Sequence, residues 1–565
     1  MRIALRGEGL LLALLVLLVG LLCLWPMLRL VVEAAAPGGV LDLSLAERVL
    51  GRRATWNATL NSLDVAFWSA LLALVIGSAF AILVGATDVR WSTLLVFGFV
   101  LPLMIPPPIT ALSWTQLTGP GSPLLNALGI APPPGTPNPL YSREGIILLM
   151  GVQHAPLVFL TVRAALVRLP GDLVESAYTM GDDAWRALRR IVLPLLAPAM
   201  IAGTALAFVS SIGNFGIAAF IGIPAGFTLL PVLIYQRLAS FGPQVIGEVA
   251  VLSVLVGLIA FSGVLVQMWL LGRRDVATLE GGGKSYHLPL GRARPLVEAG
   301  AWLVVLGLLV LPLVALVTSS LVPAYGVRLT AETVSFANYA EVLFNQSVTR
   351  RAFVNSTVLA AGAAFTLALL ALPLGYFLTW RRRGIVRVLR PVIELPYALP
   401  GVVLAVACIL IFLRPLPLVD LSLYGTIWII FVAYLARFLT LALTPVIAGY
   451  QQLDRAIDEA AQLDGAGLAE RLRTVTLPLV AAPTAAGALL VFLTAYNELT
   501  VSALLWTGGT ETLGVVIFNL QDGGSGVLAS ALAVLCLLAV LAIVTLLHLL
   551  DRRYRLGVLP WSRAA

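Results

Sequence analysis

Twelve apolar runs follow one another along the chain, each close to or above the roughly 20 helical residues that cross a hydrocarbon core. They cover residues 10–32, 64–86, 92–114, 145–166, 191–220, 246–271, 297–321, 353–379, 386–413, 422–447, 475–505 and 527–550. The pattern predicts an all-α integral membrane protein with about 12 transmembrane helices. Its most polar interruption is "IDEAAQLDGAGLAERLRTVTLPLV" at 457–480. There Asp458, Glu459, Asp464, Glu470, Arg471 and Arg473 would each cost a few kcal/mol at the membrane centre, so the stretch lies outside it.

That stretch has a counterpart. "LVESAYTMGDDAWRALRRIVLPLL" at 173–196 matches it without a gap at eight of 24 positions, an offset of 284 residues. "LPLMIP" at 101–106 matches "LPYALP" at 395–400, an offset of 294, and "NATL" at 57–60 matches "NSTV" at 355–358, an offset of 298. The first half is longer in "LTGPGSPLLNALGIAPPPGTPNPLYSREG", and surface loops absorb insertions at low cost. The chain therefore divides into a first half, 1–271, a linker, 272–296, and a second half, 297–565. Six spans per half is an even number, so both halves enter the membrane in the same direction. The expected fold is two pseudo-symmetric six-helix halves about an axis along the membrane normal.

The first run follows Arg2 and Arg6, extends past 20 residues and lacks a small-x-small cleavage site, so it is taken as a retained anchor. With a cytoplasmic amino terminus, Arg90, Arg186, Arg189, Arg190, Arg273, Arg274, Arg381, Arg382, Arg383, Arg471, Arg473, Arg552 and Arg553 fall inside. Arg52, Arg53, Arg143, Arg328, Arg350 and Arg351 fall outside, a positive-inside bias that puts both termini and both polar loops in the cytoplasm.

Composition agrees: the chain is 60% hydrophobic and 11% charged, with a mean hydropathy of +0.98. The net charge of +8 is thereby a topology signal rather than a nucleic-acid footprint. Cys23, Cys408 and Cys536 lie inside apolar runs and His154, His287 and His548 are scattered, so neither set forms a metal site or a disulfide framework. "GGGKS" at 281–285 is a decoy for nucleotide binding, because Thr278 stands where a phosphate-binding loop needs glycine. No Ser-His-Asp set or paired catalytic carboxylates suggests chemistry on a substrate.

The repeated loop carries helix signals. Asp172 precedes Glu175 by three, as in a capping box, and Gly181 and Gly465 suit the left-handed residue that ends a helix. A second short helix should lead to Pro194 or Pro478 at the entry to the next span. Two short helices would then lie across each cytoplasmic mouth. A connector accounts for one such loop, but the same loop at the same place in both halves points to a docking surface.

The pattern Glu-Ala-Ala, three residues, Gly, nine residues, a hydrophobic residue, one residue, Leu-Pro resembles the cytoplasmic signature of the membrane subunits of bacterial ABC importers. It is intact at Glu459, Ala460, Ala461, Gly465, Val475, Leu477 and Pro478. In the first half it reads Glu175, Ser176, Ala177, Gly181, Ile191, Leu193 and Pro194, with Ser176 the one departure. The resemblance implies the transmembrane fold of a type I ABC importer, with a coupling helix in each loop. Two copies of an ABC ATPase would dock there and carry the ATP and Mg2+; this chain binds no cofactor and is not itself an enzyme. An external, periplasmic or extracellular, binding protein would deliver the substrate across the bacterial cytoplasmic (inner) membrane. Segments such as "LPYALPGVVLA" and "YNELTVSALLWTGGTETLGVVIFNLQDGG" resemble the fused permeases of ferric-iron import, and fused permeases for thiamine, phosphonates or polyamines share much of this pattern.

Candidate pathway residues are fewer. Asn214, and Asn497 with Glu498, follow the fifth span of each half, and Glu394 lies beside the repeated LPxxxP. Ionisable groups at membrane depth are functional candidates by default. Pro102, Pro106, Pro107 and Pro108 in one half, and Pro396 and Pro400 in the other, either kink the third span or break it around a transport path. A secondary transporter driven by an ion gradient could also use parallel six-span repeats, but it would leave the doubled loop unexplained.

Overall fold

Among the described residues of the computed structural model, ten helices, five in each half, are long and apolar enough to cross a membrane. The structure describes all residues except Met1, Phe241, Pro243, 273–289, Arg382, Arg383, 416–419, Leu421 and 555–565. The "GGGKS" stretch, His287 and most of the linker therefore lie outside the described residues.

The repeat is as plain in the backbone as in the sequence. Arg53–Ala86 and Ser347–Trp380 are both 34-residue helices, and Arg143–Val167 and Ile427–Gln451 both have 25 residues. Leu193–Ile212 and Leu477–Tyr496 both have 20, and each follows a five-residue π-helical turn, Leu188–Val192 or Leu472–Thr476.

The second-span pair corrects one anchor of the repeat. The helices superimpose at an offset of 294, which matches Asn61-Ser62 with Asn355-Ser356 rather than "NATL" with "NSTV". Asn61 donates to the Thr228 carbonyl at 3.0 Å and Asn355 to those of Gly509 and Glu511 at 3.1 and 2.9 Å. The Ser62 and Ser356 hydroxyls accept from the Leu230 and Leu513 amides at 2.8 and 2.9 Å. The expected register was one helical turn out, because an Asn-x-Thr match hides an equally short Asn-Ser match four residues on.

The third runs, expected as spans of 92–114 and 386–413, are not continuous helices. Ser92–Leu103 meets the segment Pro107–Leu128, which opens with the helix Pro107–Thr118, across a bend of 101°, and Val386–Ala398 meets Gly401–Phe412 across one of 105°. At Ile105 and Leu399, each directly before a proline, the chain is extended, with ψ of 128° and 148°, because the following ring disfavours the helical region for the residue before it. The fifth runs also stop early. The helices end at Ile212 and Tyr496, and in the first half Phe215–Ala225 turns back through 79° into Leu230–Leu238.

The halves are interlocked through their first spans. Trp25–Ala35 packs on Gly401–Phe412 of the second half, and Leu311–Ser320 packs on Pro107–Thr118 of the first. Aromatic rings close the seam nearby: Phe518 of the second half lies 6.0, 5.5 and 5.9 Å from the rings of Phe215, Phe220 and Tyr235.

Candidate functional site

The two polar loops fold alike. Gly171–Thr179 and Ala184–Ala187 form the first, Ala456–Leu463 and Leu468–Arg471 the second. Gly181 and Gly465 both stand at φ +91°, and the following amides, Asp182 and Ala466, return to the Ala177 and Ala461 carbonyls at 3.0 and 3.1 Å. This six-to-one closure ends a helix where glycine takes the left-handed region. Pro194 and Pro478 follow directly on the π-helical turns Leu188–Val192 and Leu472–Thr476, inside helices that run unbroken from Trp185 to Ile212 and from Leu468 to Tyr496, and the wider turn accommodates a residue without an amide hydrogen.

The capping box is not formed. Asp172 sits inside the helix, whose cap position is Pro170, and Pro170 with φ −65° already presets the entry. In the second loop Asp454 accepts from the Ala456 amide at 2.9 Å instead.

Glu175, Ser176, Gly181, Glu459, Ala460 and Gly465 are exposed, as are Pro194, Leu477 and Pro478, while Ala177 is buried and Ala461 and Leu193 are half-buried. Glu459 pairs with Arg455 at 2.9 Å on the same open surface. Met180, Trp185 and Leu463 are 82%, 66% and 89% exposed beside them. Large apolar side chains thus stay open beside charged ones on both loops.

Underneath, the loops differ. Asp458 and Arg471 stand at the positions of Val174 and Ala187, 284 residues apart. Val174 and Ala187 are fully buried in an apolar cluster that includes Ala177 and Val192, with Ile82 against it. Arg471 is 1% exposed and holds two carboxylates, Glu8 at 2.6 Å and Asp458 at 3.1 Å. Tyr376, which occupies the position of Ile82, donates its hydroxyl to Asp458 at 3.2 Å, and Arg381 reaches Glu8 at 3.0 Å. Burial pushes the Asp458 carboxyl above the usual carboxylate range, against the pull of the Arg471 guanidinium.

The pathway candidates lie where helices break. Asn214 caps Phe215–Ala225 by accepting from the Ile217 amide at 3.0 Å. Its true counterpart at an offset of 284 is Glu498, which accepts from the Val501 and Ser502 amides at 2.8 and 3.1 Å. Both are buried and both satisfy the orphan donors of a helix start. Asn497 accepts from the Cys536 thiol at 3.1 Å. Glu394 stands apart, exposed and paired with Arg390 at 2.9 Å.

The breaks converge across the seam. A Cβ on Gly213 would meet Pro400 at 3.3 Å, and one on Gly216 would meet Pro108 at 2.9 Å, so the fifth-span break of the first half touches the third-span breaks of both. Gln153 holds the first break, donating to the carbonyls of Pro102 and Ile105 at 2.9 and 3.3 Å. Arg437, its counterpart at an offset of 284, lies against the second, where a Cβ on Gly401 would come 2.4 Å from Nη1. Neither was singled out above. A lone Gln or Arg inside the runs 145–166 and 422–447 was the available signal.

Paired breaks in the third and fifth runs, two matching polar loops and a repeated set of spans are the features of a membrane translocation subunit. The family described as "Binding-protein-dependent transport system inner membrane component" matches residues 73–276 and again 371–556, and the chain belongs to that family. Its curated relatives are permeases. A probable ABC transporter permease protein of Sinorhizobium fredii is 28% identical over 77% of this chain and 75% of its own length. A ferric transport system permease protein of Actinobacillus pleuropneumoniae is 27% identical over 85% of this chain and 69% of its own length. A putative 2-aminoethylphosphonate transport system permease protein of Salmonella choleraesuis is 29% identical over 38% of this chain and 75% of its own length. This chain is accordingly a multi-pass permease of an ABC importer, built as a fused repeat.

Proposed function

We propose that the chain is driven by two copies of an ABC ATPase, one docked on each loop in the cytoplasm, and that it carries ferric iron released by an external binding protein. The carrying observation for the docking is the loop built twice, with the same φ +91° glycine closure and the same exposed Glu-x-Ala face. For iron it is the ferric transport relative that matches along both halves, whereas the phosphonate relative covers the length of one. Glu175 and Glu459 would face the ATPase, with Met180, Trp185 and Leu463 as apolar anchors. The hinge of the motion would be the breaks at Pro106, Gly213, Pro400 and Asn497. Closing of the ATPase pair would pull the loops together, and the ring cluster around Phe518 would part on the other face, as a rigid-body rearrangement of the halves. Asn214 and Glu498 would border the path as the caps that keep its broken walls satisfied. ATP hydrolysis would belong to the partner, and the termini would lie in the cytoplasm.

Gly181→Pro with Gly465→Pro tests the docking, since proline fixes φ near −65° and cannot adopt the closure. The doubly substituted chain should fail to capture its ATPase in a pull-down, and full capture would refute the docking. For the cargo, proteoliposomes holding the chain, its ATPase and its binding protein should accumulate ferric iron only with ATP. Accumulation of 2-aminoethylphosphonate and not of iron would replace the ferric assignment.

A further inference from the structure

The first helix reaches the second loop, and among the described residues no equivalent ionic group reaches the first. Glu8, in the helix Arg2–Val19, is 9% exposed and bridges Arg381, at the end of Ser347–Trp380, to Arg471 within the loop. Two guanidinium groups, Glu8 and Asp458 leave the cluster without net charge, and Tyr376 closes it from the side. The equivalent of Glu8 in the second half, by the offset of 286 that relates Gly20–Leu24 to Leu306–Val310, is Arg294. Arg294 pairs with Asp88 at 3.6 Å and Glu298 at 3.1 Å, and the Glu298 carboxylate accepts from the Arg90 amide at 2.8 Å. That strap ends on the turn between two spans. Beneath the first loop, Ala187 offers it nothing ionic to hold.

We propose that Glu8 is a positioning residue for the second loop alone, so that the two ATPase docking sites are held with unequal stiffness. The first loop rests on apolar contacts that slide at little cost. The second is tied, through Arg471, to a helix that crosses onto it from the other half, so its position reports where the first half stands. This rests on the docking reading above. Its consequence is that one ATPase copy works against a loop tied to the other half by a buried ion pair and the other against a loop held by apolar packing alone.

The test is amide hydrogen exchange on the full chain in lipid nanodiscs. Glu8→Gln should speed exchange at residues 456–476 by about tenfold or more and leave 171–192 unchanged. In an Asp458→Val, Arg471→Ala background, which rebuilds the apolar pair of the first loop, the same Glu8→Gln change should no longer affect the loop. Unchanged exchange at 456–476, or an equal rise in both loops, would overturn the proposal. ATP hydrolysis by the co-reconstituted ATPase should fall with Glu8→Gln and recover in that background. If exchange behaved as expected while the Gly181→Pro, Gly465→Pro chain still bound its ATPase, the strap would stand and the docking reading would fall.

Discussion

The loop over residues 171–192 and the loop over 456–476 reach the same backbone by opposite chemistry. Above, both present a Glu-x-Ala helix closed by a glycine at φ +91°. Below, one rests on Val174, Ala187 and Ile82, and the other on Asp458, Arg471 and Tyr376. The outward face is shared because the partner would be the same on both sides. The inward face only has to fill its space and satisfy its polar atoms, and either an apolar cluster or a neutral ionic one does that. The two solutions respond differently to damage, however. An apolar site loses packing in proportion to what is removed, whereas an ionic site loses the compensation of every charge that remains.

The sharpest way to break the comparison is Arg471→Ala, which leaves Glu8 and Asp458 buried without a partner in the loop. It should cost about 3–5 kcal/mol, read as a large fall in the thermal unfolding midpoint of the solubilised chain. Ala187→Arg should harm the first loop in the same way, since nothing there compensates a buried guanidinium. Next come Gly181→Ala and Gly465→Ala. Open space surrounds both, so the cost is the left-handed backbone alone, about 1–2 kcal/mol and equal in the two loops by hydrogen exchange. Asn355→Ala should destabilise more than Asn61→Ala, two hydrogen bonds against one, a difference of about 1 kcal/mol measurable in chemical denaturation. Smallest is the paired change Asp458→Val with Arg471→Ala. It removes opposite charges together and should restore the part of the midpoint that Arg471→Ala loses to uncompensated charge, while the space left by the buried Arg471 side chain keeps its own cost.

The parts legible in the sequence were those governed by single residue types. Charge excluded the loops from the membrane, and Gly181 and Gly465 announced the left-handed closure they adopt. Apolar run length marked the spans. What escaped depends on where runs are interrupted from within. Hydropathy reads straight through Ile105-Pro106 and Leu399-Pro400, so run length alone could not choose between the kink and the break that Pro102, Pro106, Pro396 and Pro400 leave open, and the structure shows right-angled breaks. The same averaging hid Gln153, which bonds the first bend, and Arg437, which lies against the second. Asn214 was grouped with Asn497, its look-alike, although geometry pairs it with Glu498, because capping needs an acceptor three residues ahead and a carboxylate serves as well as an amide. The Asp172 capping box failed because Pro170 fills the cap position. The Glu8 cluster unites residues more than 360 apart, and no local pattern foreshadows it.

The exchange of first spans makes the covalent join between the halves redundant for their association. Each half lends a helix to the other, Trp25–Ala35 in one direction and Leu311–Ser320 in the other, so each would grip its partner even as a separate polypeptide. Whether such a transporter is encoded as one gene or two is then a matter of history more than of mechanics. What fusion adds is a guarantee of composition: an apolar loop and an ionic one in every molecule, never two of a kind.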